Sequence, residues 1–273
     1  MKSQWECFLQ NLGEWRGSFT QLSPQGEVLS DTPSVLSLEG LNNNQSVRLS
    51  LRRLGQPDLT LEYSTVGGGL KFFESGAFSQ GTIQIAPASQ FGAELALVQP
   101  DRRLRLVQIF SLEGQPARLT LIREQRVGTD APERSPLTLA DLLGEWHGQA
   151  ITLYPDLREP DTYATTLKLH QDGDKVTQAI TFAEAGEVTS TGTIQGSMLR
   201  FEQGSQRVQV LLLPDGASFT CPMQIQRDQP LFIEAGWLLS ADLRQRLIRS
   251  YSSRGEWVSL TLVTEQKKSP FLG

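Results

Sequence analysis

With 273 residues and a formal net charge of -5, the chain carries too much acid for a general nucleic-acid or anionic-membrane role, which calls for a basic face. At 38% hydrophobic and 20% charged residues it has the make-up of a globular protein, and no apolar run approaches the roughly 18 to 20 residues of a membrane span. Cys7, Cys221, His147 and His170 are too few and too scattered for a disulfide framework or a zinc site. Met1-Lys2-Ser3-Gln4-Trp5-Glu6 has no apolar core ahead of a cleavage site, so a cytoplasmic protein is expected.

In chain order, Ser3-Gln4-Trp5-Glu6 has the form of a capping box, and Trp5, Phe8, Leu9 and Leu12 follow at helical spacing, which predicts a short helix. The segments 35–39, 47–52 and 59–63 alternate apolar with polar residues at period two, the pattern of half-buried strands. Turn residues separate them, ending with Gly67-Gly68-Gly69, and further strands are expected at 70–73, 82–85, 94–98, 103–110 and 117–124. About eight short strands in meander order read as an up-and-down barrel or a sandwich. Residues 128–136, rich in Pro, Gly and charge, read as a linker between an N-terminal unit, 1–127, and a C-terminal unit, 137–273. Thr138-Leu139-Ala140-Asp141 then starts a second short helix.

The two units are copies. Leu12-Gly13-Glu14-Trp15-Arg16-Gly17 returns as Leu143-Gly144-Glu145-Trp146-His147-Gly148, a shift of 131. The segment 101–126 aligns with 242–267 at a shift of 141, with Asp101, Arg103, Arg105, Leu106, Ser111, Gly114, Leu119, Thr120, Leu121, Glu124 and Gln125 all repeated. The second copy therefore carries about ten extra residues, of a kind that usually sits in a loop. Read as a two-residue turn, Gly114-Gln115 places Arg105 opposite Glu124, and Gly255-Glu256 places Arg246 opposite Glu265. The parity then sends the face with Leu104, Leu106, Phe110, Leu119 and Leu121 inward and the Arg–Glu pairs outward, which favours a brace for the sheet over an anion or cofactor clamp built from Arg103, Arg105, Arg244 and Arg246.

Gly13-x-Trp15 and Gly144-x-Trp146, each after a short helix and at the head of many strands, resemble the first-strand signature of the lipocalin (calycin) superfamily. That resemblance implies an all-β fold of two tandem antiparallel barrels, each preceded by a short helix, with the Trp at the closed end beneath a last-strand Arg. Arg123 stands in that place, and Arg249 substitutes for it in the second copy, which has Thr264. The wider pattern, through Gly76-Ala77-Phe78-Ser79-Gln80-Gly81, Leu119-Thr120-Leu121-Ile122-Arg123-Glu124, Leu212-Leu213-Pro214-Asp215-Gly216 and Glu234-Ala235-Gly236-Trp237, is similar to the DUF3598 family of two-domain proteins from cyanobacteria and plastids, over nearly the whole chain.

An eight-stranded barrel is filled by side chains or holds one small ligand. As a ligand-binding module, the chain would offer Gln108, Arg123, Gln245 and Arg249 as inner polar groups and Trp237 as a stacking surface. The guest expected is a hydrophobic molecule such as a pigment or bilin. Two alternatives stay open: a non-enzymatic assembly factor that docks a photosynthetic protein partner, and a bilin-lyase-like enzyme, although no lyase motif transfers. No phosphate loop, nucleophile elbow, His-Glu-x-x-His or Cys-x-x-Cys is present, and Asp172-Gly173-Asp174 reads as a hairpin turn rather than a calcium loop. No catalytic residue, metal or certain cofactor is therefore assigned.

Overall fold

Both capping boxes form, each serving two otherwise unpaired N–H groups. Ser3 Oγ accepts from Glu6 N–H while Glu6 Oε2 accepts from Ser3 N–H at 2.7 Å, and Thr138 and Asp141 repeat the exchange. In the computed structural model, which describes residues 2–86, 89–156, 158–182, 186–226 and 228–268, the first box opens α1 (Gln4–Phe8), followed by one 3-10 turn (Leu9–Asn11). The last five residues of the expected C-terminal unit, 269–273, lie outside the described residues.

Nine strands follow: β1 (Gly13–Leu22), β2 (Val28–Leu41), β3 (Ser46–Arg53), β4 (Leu59–Tyr63), β5 (Leu70–Phe72), β6 (Phe78–Gly81), β7 (Phe91–Val98), β8 (Arg102–Phe110) and β9 (Pro116–Arg126). They form one antiparallel sheet, ordered β4-β3-β2-β1-β9-β8-β7-β6-β5 and left open between β4 and β5. The second half has α2 (Leu139–Leu142) and then β10 (Gly144–Leu153), β11 (Asp161–Asp172), β12 (Lys175–Phe182), β13 (Gly186–Gln195), β14 (Met198–Phe201), β15 (Val208–Leu212), β16 (Ala217–Pro222), β17 (Leu231–Leu238), β18 (Leu243–Tyr251) and β19 (Trp257–Lys267), which close into a barrel. The fold is thus all-β and tandem, with one closed barrel and one half-barrel.

The difference between the copies is the strand β14. Phe73 N–H bonds Ala77 O and Leu213 N–H bonds Ala217 O, each at 2.8 Å, so β5 corresponds to β15 at a shift of 140. Between β13 and β15 the second copy inserts β14, which sends Leu199 and Phe201 into the barrel interior. The first copy crosses from β4 to β5 through residues 64–69, with no counterpart to β14 among the described residues. The extra residues thus build a stave rather than a loop. Leu212 N–H is held by Ser197 O at 2.8 Å; the equivalent Phe72 N–H is held by the Gln4 side-chain carbonyl, whose amide also donates to Phe72 O at 2.9 Å. An amide on α1 does there what a strand does in the other copy.

The expected faces are reversed. Leu104, Leu106, Phe110, Leu119 and Leu121 point away from the lumen and join Phe219, Ile233, Trp237, Leu247, Tyr251 and Trp257 in one apolar cluster between the halves. Arg103, Arg105 and Glu124 lie buried on the lumen side. The alternation was read correctly, but the sheet is buried on both faces, so apolar character does not mark the lumen. The register is also two residues off. Ser111 N–H bonds Gln115 O, Gly114 N–H bonds Ser111 O, and Gly114 has φ +78°, a three-residue loop with Gly in the left-handed bulge position. Arg103 therefore faces Glu124 and Arg244 faces Glu265. Nor is 82–85 a strand of the first sheet: Gln84 bridges to Glu256 in the other half.

The halves meet through reciprocal contacts. Ile85 N–H donates to Gly255 O and Ile225 N–H to Gly114 O, both at 2.8 Å; Gln84 Nε2 reaches Arg254 O and Gln224 Nε2 reaches Glu113 O. Each pair is the duplicate of the other, as expected of a surface that fits its own copy.

Candidate functional site

Trp15 and Trp146 have matching surroundings. Each indole is fully buried and donates to the carbonyl four residues back, Asn11 O at 3.0 Å and Leu142 O at 2.9 Å, which ties the helix to the first strand. Gly13, at φ +125°, lets Arg126 approach: a Cβ there would lie 2.5 Å from Arg126 Nη1. The cations over Trp15 are Arg103 at 4.6 Å and Arg126 at 4.2 Å, and Lys267 lies 5.2 Å over Trp146. The last-strand cation is thus Arg126 and its duplicate Lys267, rather than Arg123 and Arg249.

From Trp15 the lumen wall rises through an ionic quartet, of which Arg103, Arg105 and Glu124 are buried and Glu94 is half-buried. Arg105 forks onto Glu124 with Nε and Nη2, both at 3.0 Å, and its Nη1 donates to Glu94 Oε1 at 2.8 Å. Arg103 Nε donates to the same Glu124 at 2.7 Å and Nη1 to Asn11 Oδ1 at 3.2 Å. Burial alone would raise the Glu124 carboxyl, but Arg103 and Arg105 hold it down at about 2. Burial lowers Arg103, with Glu124 only partly offsetting it, whereas Glu124 and Glu94 outweigh burial at Arg105 and raise it. The second barrel repeats the quartet with Arg244, Arg246, Glu265 and Glu234, all buried.

In the first half Glu94, Arg103 and Arg105 of the quartet border a cavity of about 510 Å³. Phe8, Leu36, Leu38, Leu49, Phe72 and Phe78 supply its apolar wall, residues 65–67 and 69 of the β4–β5 crossing edge it, and Glu94, Arg103 and Arg105 supply the polar end. The size is within the range of small-molecule pockets, and greasy walls with a few fixed polar groups are their usual make-up. In the second half, Leu199 and Phe201 of β14 pack with Trp146, Leu167 and Leu169 in the interior.

None of the five residues expected to bind a ligand lines this cavity. Trp237 is fully buried in the cluster between the halves, its indole donating to Asp215 O at 2.9 Å under Arg134. Arg249 crosses the interface: it stacks on Trp257 at 3.7 Å and donates to Tyr251 Oη, Ser79 Oγ and the Gly69, Gly81 and Thr82 carbonyls. Gln245 accepts from Gln99 Nε2 at 2.9 Å, also across the interface. Gln108 is buried on the strand face of Leu106 and Phe110 and donates to Ile109 O. Arg123 lies outside the half-barrel, bonded to Thr20, Glu133 and Asp31. The reversed face accounts for Gln108, Arg123, Gln245 and Arg249; Trp237 is a stacking candidate only on the condition that its strand turns it to the lumen, and the strand turns it into the cluster between the halves instead. Of the polar residues that border the cavity, Arg103 and Arg105 are visible in the sequence as a doubled Arg-x-Arg but were assigned to bracing the outside, and Glu94 was not singled out.

Among the described residues no group of three or more His, Cys, Asp or Glu could hold a metal, and no helix is long and apolar enough to cross a membrane.

Residues 1–129 match the family model described as domain of unknown function (DUF3598), N-terminal, and residues 133–268 match that described as biogenesis factor required for ATP synthase 1, C-terminal domain. A crystal structure of a protein of unknown function from the DUF3598 family, from Nostoc punctiforme PCC 73102, superposes with a TM-score of 0.95 at 58% identity, covering 98% of this chain and 100% of that one. The S-type phycobiliprotein lyase CpeS from Guillardia theta gives a TM-score of 0.40 at 11% identity, over 48% of this chain and 90% of that one. A mutant of transferrin binding protein B from Haemophilus parasuis gives 0.26 at 8% identity, over 94% and 59%. Superpositions as loose as these two carry no argument. No curated protein matches the chain.

Proposed function

We propose that this chain, which belongs to the DUF3598 family, is a binding protein whose N-terminal half holds one hydrophobic small molecule of pigment or tetrapyrrole type. The observation that carries this reading is the cavity of about 510 Å³ at the open side of the first sheet, greasy along its walls and ionic at one end. The second copy acts as an internal comparison, since there β14 brings Leu199 and Phe201 inward. The buried free thiols Cys7 and Cys221 suit a reducing compartment such as the cytoplasm. Fluorescence titration with an apolar dye tests the reading: the native chain binds one equivalent, and Leu49→Trp, which pushes an indole into the cavity from its wall, weakens that binding by roughly tenfold or more. Equal binding by native and variant chains would overturn it.

A second reading is supported by the match of residues 133–268 to a biogenesis-factor domain: an assembly or interaction factor. Its signature is a stable protein partner recovered from native extract by the tagged chain and retained by the Leu49→Trp variant, since a docking surface does not need the cavity.

A further inference from the structure

The two quartets are satisfied differently, and the difference faces the cavity. In the second copy Arg244 Nη1 bonds Glu265 at 3.4 Å and Nη2 bonds Ser218 Oγ at 3.3 Å. Ser218 pairs with Gly236 in the same way that Phe78 pairs with Ala96, so Phe78 is the equivalent of Ser218. A phenyl ring therefore stands where the duplicate has a hydroxyl. Arg103 Nη2, the counterpart donor, is buried and has no hydrogen-bond partner; Arg244 Nε and Arg246 Nη2 are likewise unpartnered in the second copy, so what sets Arg103 apart is that its side chain, only 2% exposed, borders the cavity beside Phe78. Of its acidic neighbours, Glu124 already accepts from Arg103 Nε and from the fork of Arg105, and Glu94 accepts from Arg105 Nη1. A buried donor left unpaired costs more than a hydrogen bond returns, so a site of this kind selects a molecule that completes it. Arg103, Arg105 and Arg126 against Glu94 and Glu124 also leave this end of the lumen with one positive charge in excess.

We infer that Arg103 Nη2 is the anchor for a carboxylate: the ligand is an amphipathic acid, its apolar body along Leu36, Leu38, Leu49, Phe72 and Phe78 and its carboxylate at Arg103. The inference rests on the cavity being a binding site, and it adds the chemical class of the guest. A long-chain fatty acid and a linear tetrapyrrole bearing propionates share that chemistry and differ in body.

The test compares each acid with its neutral methyl ester on the full chain by calorimetric titration: palmitic acid against methyl palmitate, and biliverdin against its dimethyl ester. On the native protein the acid of the matching body binds about ten- to a hundredfold more tightly than its ester, the range of a charge-assisted hydrogen bond. Arg103→Gln removes that preference. Because Arg103 also pairs with buried Glu124, Phe78→Ser serves as the second variant: it gives Nη2 the hydroxyl found in the duplicate, keeps the guanidinium in place, and likewise reduces the acid-to-ester ratio towards one. Which acid shows the preference identifies the body. If acid and ester bind the native chain equally, or if both variants keep the preference, the carboxylate anchor is wrong while the cavity reading stands. If none of the four probes binds the native chain and the apolar dye does not either, the cavity reading itself fails.

Discussion

Glu124→Gln is the substitution that most directly probes the ionic floor of the half-barrel. The Glu124 side chain is completely buried and accepts three guanidinium N–H bonds, from Arg103 at 2.7 Å and from Arg105 twice at 3.0 Å. Its folded carboxyl titrates at about 2, against 4.5 for an unperturbed one, which corresponds to about 3 kcal/mol at about 1.4 kcal/mol per unit. Because the folded carboxyl ionises more readily than the unfolded one, this stabilisation is complete above pH 4.5 and is lost as the pH falls from there towards 2. Gln keeps the shape but leaves two buried guanidinium groups with only Glu94 for countercharge, and breaking a buried pair costs roughly 3 to 5 kcal/mol. Urea unfolding at pH 7 and again near pH 3 measures the effect. The expected result is a deficit of about 3 kcal/mol or more at pH 7 that narrows at pH 3, as the native chain loses what the variant never had. A variant as stable as the native chain at pH 7, or an equal deficit at both pH values, would refute the argument.

Other consequences follow from contacts of the same kind. A Cβ on Gly17 would lie 1.8 Å from Arg123 backbone O, so β1 and β9 must part, whereas one on Gly148 meets the Thr165 hydroxyl at 2.7 Å and then side-chain carbon of Glu265; calorimetry is expected to show Gly17→Ala losing about 3 kcal/mol and Gly148→Ala about 1. Arg249→Met strips three carbonyls of the first half of a donor from the second, and a loss of roughly 2 to 3 kcal/mol is expected in scanning calorimetry. Burial pushes the Cys221 thiol up to about 12, with Gln209 only partly opposing it, and burial likewise raises Cys7. Neither cysteine is then expected to react with a thiol reagent at pH 8 until urea is added, and rapid native labelling of either would contradict the packing.

What could be read from sequence was local. The two capping boxes and the two Gly-x-Trp entrances are set by neighbours within a turn, and both copies fold them alike. The hairpin register could not be read with the same security, because Gly114 serves a two-residue turn and a three-residue bulged loop equally well; the Ser111 hydroxyl, which accepts from Glu113 and Gln115, tips the balance. The lumen was misread for a reason that lies between the halves. Leu106 and Leu121 are apolar because they face Leu247 and its neighbours in the other copy, and no pattern inside one repeat announces that. A last strand that ends at Glu124 puts Arg123 over Trp15; β9 pairs two residues further, and Arg126 lies there instead.

Reversing the two faces changes what the charges mean. A cross-strand Arg–Glu pair on an exposed sheet is a minor brace, but the same pair in a lumen carries a desolvation cost that well-packed apolar residues would avoid. Both copies nevertheless bear the full quartet, so brace and anchor must be separated by what covers it. In the second copy Ser218 gives Arg244 Nη2 a partner, although Arg244 Nε and Arg246 Nη2 have none, and β14 lays Leu199 and Phe201 into the interior, which suits a quartet that only holds strands together. In the first, Phe78 withholds the partner, no β14 follows, and the uncommitted N–H of Arg103 is buried at a greasy cavity. Since backbone and quartet are otherwise duplicated, the receptor proposed for the first copy rests on these two local departures, and the closed copy supplies the control for the open one.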